Sequence, residues 1–106
     1  MFFELRQYRL RPGQQEAWIE FAEQQMIPFQ QSKGMVIVGS FTGEEDPDLY
    51  VWIRRFENEE EREQLYHDVY QSDHWKNVLG PRVGELIDRE QIKVTRIVPT
   101  PRSIVR

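Results

Sequence analysis

The chain has 106 residues, 39% of them hydrophobic and 30% charged, with a formal net charge of -4 and no cysteine. That length serves one domain with a single core, the lack of cysteine removes disulfides, thiolate metal ligands and cysteine nucleophiles, and the acidic balance disfavours a nucleic-acid partner. No apolar run approaches the roughly 20 residues needed to cross a bilayer, and the amino terminus enters strand-like alternation without an export-type leader, so a cytoplasmic protein with no membrane segment is expected.

Residues 2–10 read as a first strand. Residues two apart share a face and stand roughly 6.5–7 Å apart, so Glu4, Arg6 and Tyr8 project together between Phe2 and Leu10. Pro12 and Gly13 suit a turn. Over about residues 14–31 the spacing of Ala17, Trp18, Phe21, Ala22, Gln25 and Phe29 predicts a helix with one stripe toward a sheet, while Glu16, Glu20, Glu23 and Gln24 mark its wet side. Pro28 removes a donor and crowds the carbonyl of Gln24, which predicts a kink or early fraying. Lys33 and Gly34 close the helix.

The β-branched run at 35–43 predicts a second strand and 48–56 a third. The third has two characters: Leu49, Val51 and Ile53 on one side, and Tyr50, Trp52, Arg54 and Phe56 on the other. Asn58 and Glu61 match capping-box spacing, with acidic residues in the first turn of a helix that carries Leu65, Tyr66, Val69 and Tyr70. A second capping signal at 71–73 starts a helix holding Trp75, Val78, Leu79, Val83, Leu86 and Ile87, which Gly80 and Pro81 interrupt or kink. Residues 91–98 predict the fourth strand.

The order βαββαβ implies an α+β, ferredoxin-like fold: a four-stranded antiparallel sheet with the helices on one face. One domain spans 1–106, with a core at about 2–98 and an extended C-terminal tail at 99–106. No helix remains for the second face of the sheet. The alternation is read as placing Phe2, Tyr8, Tyr50, Trp52 and Phe56 there, beside Glu4, Arg6 and Arg54. A patch of that kind needs a cover, and two copies packed sheet to sheet as a barrel would supply one. A homodimer is therefore expected.

The segments FELRQYRLRPG and YVWIRRF, the acidic cap with Arg62, and SDHW together resemble a NIPSNAP domain over about residues 2–100. The resemblance implies the dimeric α+β barrel superfamily, whose members include cofactor-free monooxygenases, haem-degrading enzymes, dismutating enzymes and ligand-sensing modules. It implies no settled reaction for NIPSNAP domains. If the chain is an enzyme, that analogy points to cofactor-free oxygenase or isomerase chemistry.

Two readings of Glu4, Arg6 and Tyr8 stand side by side. In one they form a self-satisfied polar ladder that fixes register or dimer geometry, and the protein is a structural or interaction module. In the other Arg6 binds a ligand carboxylate or polarises an oxyanion, Glu4 orients Arg6 or moves a proton, and Tyr8 bonds a substrate oxygen. Tyr50, Trp52, Arg54 and Trp75 then complete a pocket for a small, partly apolar molecule. His67 and His74 lie seven apart, but spacing fixes no third ligand, so no metal is assigned. By analogy to superfamily enzymes, His74 is a candidate proton shuttle or haem ligand at the pocket mouth. No nucleophile motif or phosphate loop is present, and the sequence implies no cofactor.

Overall fold

The computed structural model describes residues 1–106. In chain order it contains β1 (Phe2–Leu10), α1 (Gln15–Phe21), a π-helical turn (Ala22–Met26), α2 (Ile27–Ser32), β2 (Val36–Thr42), β3 (Leu49–Phe56), α3 (Glu59–Tyr70), a second π-helical turn (Trp75–Leu79), α4 (Gly80–Leu86) and β4 (Ile87–Ile97). The strands form one antiparallel sheet in the order β2-β3-β1-β4. This is the expected ferredoxin-like arrangement, with both helical layers on one face.

Local chemistry explains most boundaries. Gly13 and Gly34 take positive φ at 77° and 106°, a region closed to most side chains, and they end β1 and α2. Asn58 Oδ1 accepts the Glu61 N–H at 2.8 Å and caps α3. Ser72 Oγ accepts the Trp75 N–H at 3.2 Å and starts the last helical segment. The fourth strand begins earlier than periodicity suggested. Ile87, expected on the helix, is the first residue of β4, because Leu10 pairs with Ile87 and Arg9 with Asp88 beyond a bulge in the β1–β4 ladder. Residues 99–106 make a turn, with the Ser103 N–H donating to the Thr100 carbonyl at 3.0 Å, and Val105 comes beside Phe3 and Ile53.

Both interior prolines follow a π turn. Pro28 and Pro81 each sit in the first turn of the α-segment that succeeds one. A π turn carries an extra residue and rearranges the carbonyls before the proline ring, so the helix continues where a kink or fraying was expected. It also moves the inward stripe. Trp18, Phe21 and Ala22 are buried as expected, but beyond the turn Met26, Ile27 and Gln30 face inward and Gln25 is exposed. The displacement brings the amide of Gln30 into the core.

The two faces of the sheet are the reverse of the expected assignment. Phe2, Glu4, Tyr8, Tyr50, Trp52, Arg54 and Phe56 lie beneath the helices, not on the open face: all are buried within the single chain, and Tyr8, Tyr50 and Trp52 pack with Trp18, Phe21, Leu79 and Leu86 in the main core. The physical reason is volume. Large aromatic side chains fill the deep space between sheet and helices and bury more area there. The opposite face carries the other register: Leu5, Val51 and Ile53 are half-buried, and Phe41, Val36 and Ile97 keep 54, 46 and 38% of their surface exposed.

Candidate functional site

The centre of the polar cluster is an antiparallel pair, Glu4 of β1 opposite Arg54 of β3. Both side chains are fully buried and meet at 2.8 Å between Arg54 Nη2 and Glu4 Oε1. The second carboxylate oxygen accepts from Arg62 Nε at 2.7 Å. The Tyr66 hydroxyl lies 2.7 Å from both Glu4 oxygens and accepts from Arg54 Nη2 at 2.7 Å. On its other side Arg54 Nη1 donates to Gln30 Oε1 at 2.9 Å and to the Tyr70 hydroxyl at 2.7 Å. The rings of Trp52 and Tyr66 stand 4.8 and 5.1 Å from the guanidinium carbon, which adds cation–π attraction where water is excluded. Arg62, Tyr66 and Tyr70 are successive members of an i, i+4, i+8 row on α3, so one helical face delivers all three.

Burial alone would raise the Glu4 pKa, but the Arg54 charge and the hydrogen bonds from Arg62, Tyr66 and Arg54 outweigh it and hold the carboxyl below its usual range. Burial works against the Arg54 cation, and Tyr70, Tyr66 and Glu4 more than reverse that, so its pKa is raised. Tyr66 is pushed up to about 12, chiefly by burial. The pair is ionised and the phenol neutral at physiological pH.

Arg6 lies at the edge of this cluster. Its Nε donates to the Tyr8 hydroxyl at 3.2 Å, its Nη1 reaches the Tyr66 hydroxyl at 3.4 Å, and its closest approach to Glu4 is 3.7 Å. The side chain keeps 14% of its surface exposed. It opens on a cleft of about 430 Å³ between the sheet and the helical layer. Tyr8 shares the floor with Arg6, Tyr66, Tyr70 and Trp75 form one wall, Met26 and Val83 the roof, and Arg89 and Ile92 of β4 the outer edge.

The sequence candidates therefore separate. Arg6, Tyr8 and Trp75 line the cleft, while Glu4 and Arg54 lie behind it and Trp52 is wholly buried against both arginines. Tyr50 is remote, bonded to Ser40 at 2.7 Å, and burial pushes its pKa up to about 12. His74 lies outside the cleft with its ring 5.0 Å from that of Phe29, and His67 is exposed beside Asp68. Tyr66 and Tyr70, which periodicity places on the helix without a polar role, belong to the cluster. Their row with Arg62 was the available signal. Gln30 was hidden by the π turn and Arg89 by the early start of β4.

The NIPSNAP family model matches residues 3–102. Among solved structures the chain is similar to a NIPSNAP family protein of unknown function from Agrobacterium tumefaciens, with 27% identity over 100% of this chain and 94% of that one and a TM-score of 0.89. It is similar in fold to an uncharacterized NIPSNAP domain protein from Burkholderia xenovorans, at 15% identity over 97% of this chain and 98% of that one with a TM-score of 0.85. An antibiotic biosynthesis monooxygenase shares the fold at 14% identity over 95% of this chain and 100% of that one, with a TM-score of 0.69. No curated protein matches the chain.

Proposed function

We propose, from the premise that the chain belongs to the NIPSNAP family, that each protomer of a homodimer binds a small, partly apolar molecule in the cleft between its sheet and its helices. The observation that carries this reading is the position of Arg6. Its neighbours Glu4 and Arg54 are fully buried and bonded to each other and to α3, while Arg6 is partly exposed on the floor of an aromatic-walled cleft. A volume of about 430 Å³ falls within the range of small-molecule sites, which pair apolar walls with a few convergent polar groups. Arg6→Met removes the charge and keeps the length of the side chain. The expected result is loss of any co-purified small molecule, read by native mass spectrometry, with unchanged assembly; retention of that molecule by the variant sinks the proposal.

Dimerisation is supported by the open sheet face. Leu5, Val51, Ile53 and Phe41 form an aliphatic and aromatic surface with no helix over it, half-buried or exposed within the single chain, and contiguous apolar surface of that kind marks an interaction site. Two such faces packed together close a barrel. Ile53→Glu places a charge at the middle of that surface. Sedimentation velocity is expected to report a monomer for the variant and a dimer for the parent, and a monomeric parent refutes this assembly.

A further inference from the structure

We infer that the molecule bound in this cleft is an anion, a carboxylate or an enolate carried on an aromatic or aliphatic body, and that its charged group is held by Arg6, Tyr8 and Tyr70. This rests on the reading of the cleft as a small-molecule site and specifies the class of ligand. The chain as a whole is acidic, at -4, yet the cleft is lined by two arginines and no carboxylate. Neither cation has a carboxylate of its own: the one ion-pair contact, from Arg6 to Glu4, is long and shared. Arg89 donates to the Gly80 carbonyl and forms no ion pair, and Arg6 approaches Glu4 only to 3.7 Å, because that carboxylate is already engaged by Arg54 and Arg62.

The hydrogen-bond inventory has the same sign. The Tyr8 hydroxyl accepts from Arg6 at 3.2 Å, and its own proton has no acceptor in the chain. The Tyr70 hydroxyl accepts from Arg54 Nη1 at 2.7 Å and from Gln30 Nε2 at 3.5 Å, and its proton is likewise free. Tyr66 differs, since its proton goes to Glu4. Arg6 Nη2 donates to nothing. Donors thus converge on the cleft, and Glu4, the one strong acceptor nearby, is engaged behind them by Arg54, Arg62 and Tyr66. A ligand that brings acceptors and negative charge completes this set, whereas a neutral amide or a cation leaves donors facing donors. Trp75, Met26 and Val83 offer the apolar remainder of the site.

The test uses matched probes: benzoate, phenylacetate and decanoate against their primary amides, titrated into the full chain by isothermal calorimetry. At least one carboxylate is expected to bind tenfold or more tightly than its amide. That ratio is expected to fall to near one in Arg6→Met, and Arg6→Lys, which keeps the charge and loses the fork, is expected to retain a preference that weakens with added salt. Equal binding of acid and amide, lost on Trp75→Ala, overturns the anion assignment and leaves the cleft as the site. Failure of all six probes to bind, or binding indifferent to Arg6 and Trp75 alike, overturns both.

Discussion

Glu4→Gln is the sharpest test of how the polar cluster is held. The change keeps the shape of the side chain, but it removes the charge opposite Arg54, and both residues are fully buried. It also turns one acceptor oxygen into a donor. Because Glu4 accepts from Arg54 at 2.8 Å, from Arg62 at 2.7 Å and from Tyr66 at 2.7 Å, the new amide must face at least one N–H with its own. Breaking a buried ion pair by removing one partner costs about 3–5 kcal/mol. With an unfolding entropy of about 2.1 cal/mol/K per residue, 106 residues translate that into a fall of roughly 14–23 °C in Tm. Urea denaturation at fixed protein concentration supplies the free energy independently, which matters if unfolding is coupled to dissociation. Arg62→Met removes a partner that is 26% exposed and should cost clearly less. The double variant Glu4→Leu with Arg54→Met exchanges the pair for apolar volume and should recover part of the loss. A cost below about 1 kcal/mol for Glu4→Gln, the value typical of a solvated pair, would refute the view that water is excluded from this pair.

Two further outcomes follow from the same network. The folded Glu4 pKa lies below the ordinary carboxyl value of 4.5, so its stabilisation is complete above that value and is lost as pH falls through the still lower folded pKa; stability measured by urea between pH 7 and 3 should drop less steeply in Glu4→Gln than in the parent, and parallel slopes would contradict the assignment. Gln30→Leu deletes the acceptor 2.9 Å from Arg54 Nη1 and should cost about 1.5–3 kcal/mol, read as a lower urea midpoint at unchanged m-value, whereas Gln25→Leu on the exposed side of the same π turn should leave the midpoint in place.

Periodicity made the element order, the sheet and the caps at Asn58 and Ser72 legible, because each rests on local spacing. The facing of the sheet was not legible. Both faces of β3 alternate cleanly, and a period of two assigns residues to a shared side without saying which side the helices cover. Only the competition for volume settles it: Tyr50, Trp52 and Phe56 are bulkier than Val51, Ile53 and Leu49, and the larger set fills the space below Trp18 and Leu79. Helical periodicity failed for a different reason. One extra residue between Ala22 and Met26 rotates everything after it by about 100°, so Gln30 reads as a surface amide until the turn is known. Arg89 was hidden because Asp88, Arg89 and Glu90 have no strand propensity of their own, and pairing with β1 draws the segment into the sheet.

The choice between a structural ladder and a ligand site, posed for Glu4, Arg6 and Tyr8 as one unit, dissolves once their partners are counted. The strand carries the three side chains past two different neighbourhoods. Glu4 lies under the Arg62 and Tyr66 end of α3 and accepts from three donors, Arg54, Arg62 and Tyr66, with both oxygens engaged. One pleat further, Arg6 and Tyr8 have passed the Glu4–Arg54 pair and meet the gap beside Trp75, where their remaining donors point into the cleft. A saturated group is held in place by what surrounds it and resists change through stability; an unsaturated one beside a cavity can still form bonds, and its loss is felt in binding. The two ends of the ladder should therefore respond to different assays: substitutions at Glu4 and Arg54 in the unfolding free energy, and Arg6→Met and Tyr8→Phe, which keeps the buried ring and removes only the hydroxyl, in ligand affinity at nearly constant stability. Arg54 serves both ends, since the same guanidinium that neutralises Glu4 also occupies the oxygen of Tyr70 and so leaves the Tyr70 proton as the only bond that phenol has to offer.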